Sequence, residues 1–235
     1  MSKSVHPYAH RLGILRDWRS RWFTRGKSYR DQLQADVLMR EYLEKKLRGF
    51  YVDSVEMERG RNSLRIMIMT SRPGMIIGRN GEGSTKLKGD ILALLAKIKA
   101  DIPKEVKLDI QEVRSPESHA RIVGHMITEQ LEKRMPFRRV IKQTAEKVMA
   151  NRDVKGVRIS LSGRLDGAEM GRFETIKRGQ VPLTTFRADI DFAREKAHLP
   201  YGDIGIKVWI YRGEIFAEKN KERAKTAKAN EQAKK

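Results

Sequence analysis

The 235-residue chain contains no cysteine. Disulfides and thiolate metal sites are thereby excluded, and the residue usage fits an intracellular protein. No apolar run approaches the length of a membrane span, and no signal peptide heads the chain, so no membrane partner is expected. Aromatic residues make up only 7%, which favours contacts to phosphates over a surface built on base stacking. Acidic residues are outnumbered, 30 against 50 basic ones, for a formal charge of +20. Solubility needs far less than this. The excess points to a polyanionic partner, nucleic acid before membrane.

The segment most informative about that partner is Pro73-Gly74-Met75-Ile76-Ile77-Gly78-Arg79-Asn80-Gly81. An alternating apolar run (Leu64, Ile66, Ile68) precedes it, and a helical pattern (Leu87, Ile91, Leu94, Leu95, Ile98) follows. Gly-x-x-Gly between two helices is the clamp of the KH domain. Its glycines let a phosphate backbone come close, and the N-terminus of the following helix favours an anion. Gly78, Arg79, Asn80 and Gly81 are the candidate RNA clamp. The tetrapeptide alone is weak, since it also occurs at plain helix corners. The preceding strand, the amphipathic helix and the overall charge give it weight.

The remaining segments fall into order around this motif. Residues 1–29 form a basic arm. Over the first 30 residues eight cations face one acid, with Trp18, Trp22, Phe23 and Tyr29 interleaved. It reads either as an extended arm packing its aromatics on the next domain or as one threaded along RNA, with Arg11, Arg16, Arg19 and Trp22 as candidate RNA contacts. Ser28 to Arg48 favour a helix with Leu33, Val37, Leu43 and Leu47 on one face. Two strands follow, joined at Arg59-Gly60-Arg61-Asn62, and Leu64–Thr70 is apolar on both faces and so central. Pro103 ends the helix after the clamp, and Val106, Leu108 and Ile110 mark a third strand. The order over residues 30–114 is that of a type II KH domain.

Residues 115–216 predict two helices on an antiparallel sheet. The helices carry stripes at Ile122, Val123, Met126, Ile127, Leu131 and at Val140, Ile141, Thr144, Ala145, Val148. A helix start is expected at Pro116-Glu117. Strands are expected around Val157–Leu161, Arg172–Gly179, Phe186–Phe192 and Ile204–Ile210. The loop Ser162–Ala168 is glycine-rich with Arg164 at its centre, so Gly163, Arg164 and Gly167 are further candidate RNA phosphate contacts. Arg138, Arg139 and Lys142 lie on the exposed face of the second helix. Residues 217–235, with seven cations against three acids and no large apolar side chain, predict a basic disordered tail. The fold class is therefore α+β.

Many ordered segments carry a resemblance. They include Val5-His6-Pro7, Arg11-Leu12-Gly13-Ile14, Arg72-Pro73-Gly74, Glu112-Val113-Arg114, Phe137-Arg138-Arg139, Ser162-Gly163-Arg164-Leu165, Arg187-Ala188-Asp189-Ile190-Asp191 and Lys207-Val208-Trp209-Ile210. Together they resemble the S-three family of bacterial small-subunit ribosomal proteins. The resemblance implies a cytoplasmic ribosomal component bound to small-subunit rRNA in the head, beside neighbouring head proteins. It also implies a place where mRNA enters its channel, with Arg138, Arg139 and Lys142 contacting the message and helping to unwind it. The clamp departs from the pattern: it reads Gly-Arg-Asn-Gly where many members carry two basic residues.

An enzyme is not expected, and neither a cofactor nor a metal. No Gly-Lys-Ser/Thr follows Gly81 or Gly83, so the loop is no nucleotide-binding P-loop. His119 and His125 stand six apart, on different helix faces. Asp189 and Asp191 share a strand face and are expected to pair with cations, Arg187 and Arg194 being their neighbours in sequence. The competing non-enzyme reading is a free KH-type RNA chaperone, which the amino-terminal half alone would allow.

Overall fold

A computed structural model describes residues 5–60, 62–98 and 105–216. The expected helix stop at Pro103 and the basic tail lie outside the described residues. In the amino-terminal half, β1 (Ser20–Arg21), α1 (Lys27–Lys46), β2 (Val52–Arg59), β3 (Ser63–Thr70), α2 (Pro73–Ile77), α3 (Glu82–Ile98) and β4 (Glu105–Glu112) follow in order. The sheet runs β1-β2-β3-β4. β3 is antiparallel to β2 and parallel to β4, as a type II KH domain requires. β3 is central, and its two apolar faces have that cause.

The core lies between this sheet and the helices: Met39 and Leu43 of α1, Leu87, Ile91 and Leu95 of α3, Val55, Met57, Leu64, Ile66 and Ile68 of the strands. The buried stripe of α1 is not the expected one. Ala35, Asp36, Met39 and Leu43 face inward, while Leu33 and Val37 are nearly half exposed. Asp36 turns inward because it has partners there. It pairs with Arg59, both side chains being about as buried as the core, and accepts the Trp22 indole N–H at 2.7 Å. A buried charge met by two donors is tolerated where an unpaired one would not be.

The carboxy-terminal half holds α4 (Ala120–Glu132), α5 (Phe137–Ala150), β5 (Gly156–Gly163), β6 (Arg172–Gly179), β7 (Ala188–Leu199) and β8 (Gly202–Glu214). Pro116-Glu117 begin a short 3-10 turn, and the α-helix proper starts only after His119. Arg134, with φ 59°, makes the corner before Pro136 and α5. The antiparallel sheet runs β6-β5-β8-β7. Val157, Ile159, Leu161, Ile206, Val208 and Ile210 pack on the apolar stripes of α4 and α5.

β7 alternates as expected but with an unexpected orientation. Its helix-facing side carries the small residues Ala193 and Ala197, in the main core, together with Asp191 and Glu195. α4 comes so close at Gly124 that a Cβ there would stand 2.9 Å from Glu195 Cγ. Ala188, Ile190 and Phe192 instead join Trp209 and Tyr211 in a separate cluster, closed by Val181 and Leu183 of the β6–β7 connection. Phe186 lies before the strand and is half exposed.

The arm is not an extended tail. Its β1 pairs with β2 in parallel and adds a fourth strand to the KH sheet. Its His6 ring meets Phe192 edge-on, with centroids 4.8 Å apart, and Arg11 is wholly buried against the β6–β7 connection. The arm thus straps the two domains together. A polar seam adds to it: His119 Nδ1 to Asp53 Oδ2 at 2.8 Å, Arg121 to Glu44 at 2.7 Å, and Tyr51 to Glu129.

Candidate nucleic-acid interface

The clamp is exposed and its geometry follows from its residues. Gly78 adopts φ 72°, ψ −176°, a conformation open in practice to glycine alone. Asn80 sits at φ 52°, ψ 21°, the left-handed region that asparagine tolerates better than lysine or arginine. That gives the Gly-Arg-Asn-Gly departure a conformational reason. Arg79 is exposed and forms no ion pair among the described residues. The side chains of Ser84 and Thr85 donate to the Gly81 carbonyl at 2.8 and 3.1 Å, fixing the loop to the first turn of α3.

Gly83, which sequence reasoning passed over as a structural position, sets how closely the two clamp helices cross. A Cβ on it would stand 2.5 Å from the Ile76 carbonyl oxygen and 2.9 Å from that of Ile77. Its signal in the sequence was the third glycine of Gly78-x-x-Gly81-x-Gly83. Met75 and Ile77 are exposed beside the loop, an apolar border to the cationic clamp.

On α5, Val140, Ile141, Thr144, Ala145 and Val148 are buried, so Arg138, Arg139 and Lys142 are left on the solvent side. Positions 138 and 142 are one turn apart, and 139 lies beside them. Arg138 is 72% exposed at the side chain and stands 3.6 Å from Glu174, a loose pair in water. The helix presents three cations at one end, with the corner residues Lys133 and Arg134 exposed nearby.

The loop residues divide by role. Gly163 takes φ 143° where a Cβ would meet the Asp203 carbonyl at 2.9 Å, and Gly167 takes φ 78°. Both serve the turn. Arg164 donates from Nε to the Ala168 carbonyl at 2.9 Å and from Nη1 to that of Tyr201 at 3.3 Å. It ties the loop together and keeps an exposed guanidinium edge.

The arm residues expected to touch rRNA are largely engaged within the chain. Arg11 is 0% exposed. Its guanidinium donates to the carbonyls of Ala188 (2.7 Å), Pro7 (3.0 Å), Leu183 (3.0 Å) and Thr185 (2.8 Å). It is a structural arginine in this fold, and the expectation that it contacts rRNA is corrected. Arg16 pairs with Asp189 at 2.7 Å, and Trp22 is held by Asp36 and lies 5.2 Å from the Tyr29 ring. Arg19 is half-buried with its guanidinium 4.8 Å over the Tyr8 ring. Arm groups that do face solvent include Trp18, Phe23, Arg25, Lys27 and Tyr29.

The two aspartates pair with cations, though not with their sequence neighbours. Asp189 meets Arg16, and Asp191 Oδ2 accepts from Arg212 at 3.2 Å and from the Ala120 amide at 2.8 Å, capping α4. Burial would raise the Asp191 pKa, but Arg212, Arg16 and the Ala120 amide together hold it below the usual carboxylate range. His119, Asp53 and Asp191 bring ligand atoms within 4.8 Å of one another. The Asp191 oxygen already carries a guanidinium and an amide, and His119 is bonded to Asp53. Hydrogen bonding accounts for this cluster, with Arg16 and Arg121 adding cationic charge around it. His125 is elsewhere: burial, then Arg121 and Arg48, push its pKa down to about 4, so at neutral pH its 3.8 Å approach to Glu195 is no ion pair.

Comparisons with known proteins agree with this architecture. Residues 38–118 match the KH domain family, and residues 127–210 match the family described as ribosomal protein S3, C-terminal domain. The chain is 44% identical over 216 residues to the small ribosomal subunit protein uS3 of Alcanivorax borkumensis, covering 92% of this chain and 90% of that protein. It is 42% identical over 214 residues to uS3 of Hydrogenovibrio crunogenus (91% and 90% covered) and 41% over 222 residues to uS3 of Pseudomonas fluorescens (94% of each). With a KH domain, a matching carboxy-terminal domain and this identity over nearly its whole length, the chain belongs to the uS3 family of bacterial ribosomal proteins, structural and non-enzymatic constituents of the small subunit.

Proposed function

We propose that this chain binds rRNA in the head of the small subunit and lines the place where mRNA enters its channel. There Arg138, Arg139 and Lys142 hold incoming message and help separate its paired strands. The observation that carries the reading is the α5 surface: three cations on one exposed face, fixed from behind by Val140, Ile141 and Val148 in the core. Guanidinium groups on a rigid helix can grip phosphates of a strand as it opens and release the counterions held there, with no chemistry on the RNA. The clamp Gly78–Gly81 supplies a backbone contact to RNA on the other domain, and the Arg164 edge a third. Neighbouring head proteins complete the surroundings.

Replacing Arg138, Arg139 and Lys142 together with Ala tests this. All three are exposed, so unfolding free energy stays within about 0.5 kcal/mol of wild type. Elongation through a messenger hairpin slows, while elongation on an unstructured message does not. Equal rates for wild type and variant on both messages would overturn the role of this face.

A further inference from the structure

We propose that the open face of the carboxy-terminal sheet, the side turned away from α4 and α5, is a separate docking surface for the phosphate backbone of folded RNA. The inference rests on the reading of the chain as an RNA-bound ribosomal component. It adds a site distinct from the clamp, the α5 arginines and the Arg164 loop.

The pairing register defines the face. Lys177 lies opposite Arg158, which lies opposite Trp209, and Trp209 opposite Phe192. In the next row Thr175, Ser160, Lys207 and Arg194 stand side by side, and in the third Phe173, Ser162, Gly205 and Lys196. Directly opposed residues share a sheet face, so Lys177, Arg158, Lys207, Arg194 and Lys196 are all directed to one side. None of these five cations takes part in an ion pair among the described residues. Two acids of these strands lie on that side, both at its ends and both paired: Asp203 with His198 at 2.6 Å, and Glu214, opposite Ala188, with Arg187 at 2.6 Å.

Two aromatics of the face organise its arginines, and a third, Phe173 on the edge strand β6, is exposed. The Arg158 guanidinium lies 4.9 Å over Trp209 and that of Arg194 lies 5.5 Å over Phe192, with both rings buried. Arg158 Nε is buried and has no hydrogen-bond partner. Ser162, Thr175 and Gly205 between the cations are short, so a polyanion can approach the strands closely. Five unneutralised cations, with a single exposed ring at the edge strand, suit the sugar-phosphate backbone of structured RNA, which is recognised by shape and charge. Protein interfaces, by contrast, deplete lysine at their centres.

The test uses the full chain and an RNA duplex of two helical turns, titrated by filter binding across a salt series. The sheet variant is Lys177→Ala, Lys196→Ala, Lys207→Ala. A matched variant, Lys45→Ala, Lys147→Ala, Arg152→Ala, removes the same charge from exposed positions elsewhere that form no ion pair among the described residues. The sheet variant is expected to bind at least about tenfold more weakly than the matched one, with a salt slope shallower by about two to three. Equal losses in the two variants, with steep wild-type binding, would overturn the surface and leave the ribosomal reading standing. A wild-type protein with a flat salt response would overturn both. A second measurement uses the cysteine-free sequence: Thr175→Cys offers a unique thiol for a tethered hydroxyl-radical probe in assembled subunits. Strand cleavage of rRNA around the probe is expected. Contact with a neighbouring protein and no rRNA cleavage would overturn the proposal.

Discussion

Both domains lay helices against one face of a four-stranded sheet, and they differ in what the other face carries. On the KH sheet, Arg21, Arg65 and Lys107 meet Glu56, Glu58, Glu105 and Asp109, three cations against four acids. They interlock at 2.8 Å (Arg21–Glu56), 2.9 Å (Arg21–Glu58) and 3.2 Å (Lys107–Glu105), with Arg65 bonded to Asp109. On the carboxy-terminal sheet five cations face outward with no such partners among the described residues. Exposed pairs of this kind add little stability. Their effect here is on charge: they leave the outer face of the KH sheet close to neutral, with little to attract a polyanion. The same +20 chain therefore holds one sheet that neutralises itself and one that does not. Net charge predicts a partner, and the strand register decides where the charge is free.

The largest expected effect breaks the strap between the halves. Arg11→Met removes a buried guanidinium and leaves four carbonyls without their donor, at a cost of about 3–5 kcal/mol. Denaturant melts followed by Trp fluorescence measure it; a cost below about 1 kcal/mol would mean the arm is loosely held.

The seam between the halves sets the next effect, in pH. The His125 pKa is lowered from 6.5 to about 4 in the fold. Between these values the unfolded chain takes the proton and the folded one does not, so stability falls as pH drops from 6.5 toward 4. The loss amounts to about 3 kcal/mol over the window. His125→Gln flattens this part of the profile, and melts at successive pH values from 7 down to 4.5 show whether it does.

The smallest effect turns one face into the other. Glu56→Gln, Glu58→Gln and Asp109→Asn leave Arg65 without a carboxylate partner and Arg21 with Asp17 alone, while stability changes by about 1 kcal/mol or less. Affinity of the isolated protein for duplex RNA is expected to rise several-fold, with a steeper salt dependence. An unchanged titration would mean that sheet geometry, rather than free charge, distinguishes the two faces.

Much of the fold was legible in the sequence. Period-two runs located the main strands of both sheets, and Gly78–Gly81 between two helices identified the KH order. The departures share a cause, which is that local pattern does not know its tertiary neighbours. Leu33 and Val37 looked like the inner face of α1, but Asp36 had a buried arginine waiting across the sheet. Phe192 looked like core and packs on the outer side of β7, while the inner side, which α4 approaches closely at Gly124, carries Asp191, Ala193, Glu195 and Ala197. Arg11 looked like an RNA contact by its company of cations, yet four carbonyls from Pro7 and the β6–β7 connection enclose it. The candidate clamp and the α5 arginines were readable since each depends on local geometry, a tight turn or a helix face. The sheet-face cations were not, because their grouping depends on how four strands align.

The amino-acid sequence by itself determined the class of partner, the exclusion of thiolate chemistry, the order of the elements and the family, since these follow from composition and local periodicity. Tertiary structure alone decided which of the 50 basic side chains remain free. Whether an arginine meets a carbonyl, a carboxylate, an aromatic ring or water is set by strand register and domain contact, and these bring together residues as distant in the chain as Arg11 and Ala188.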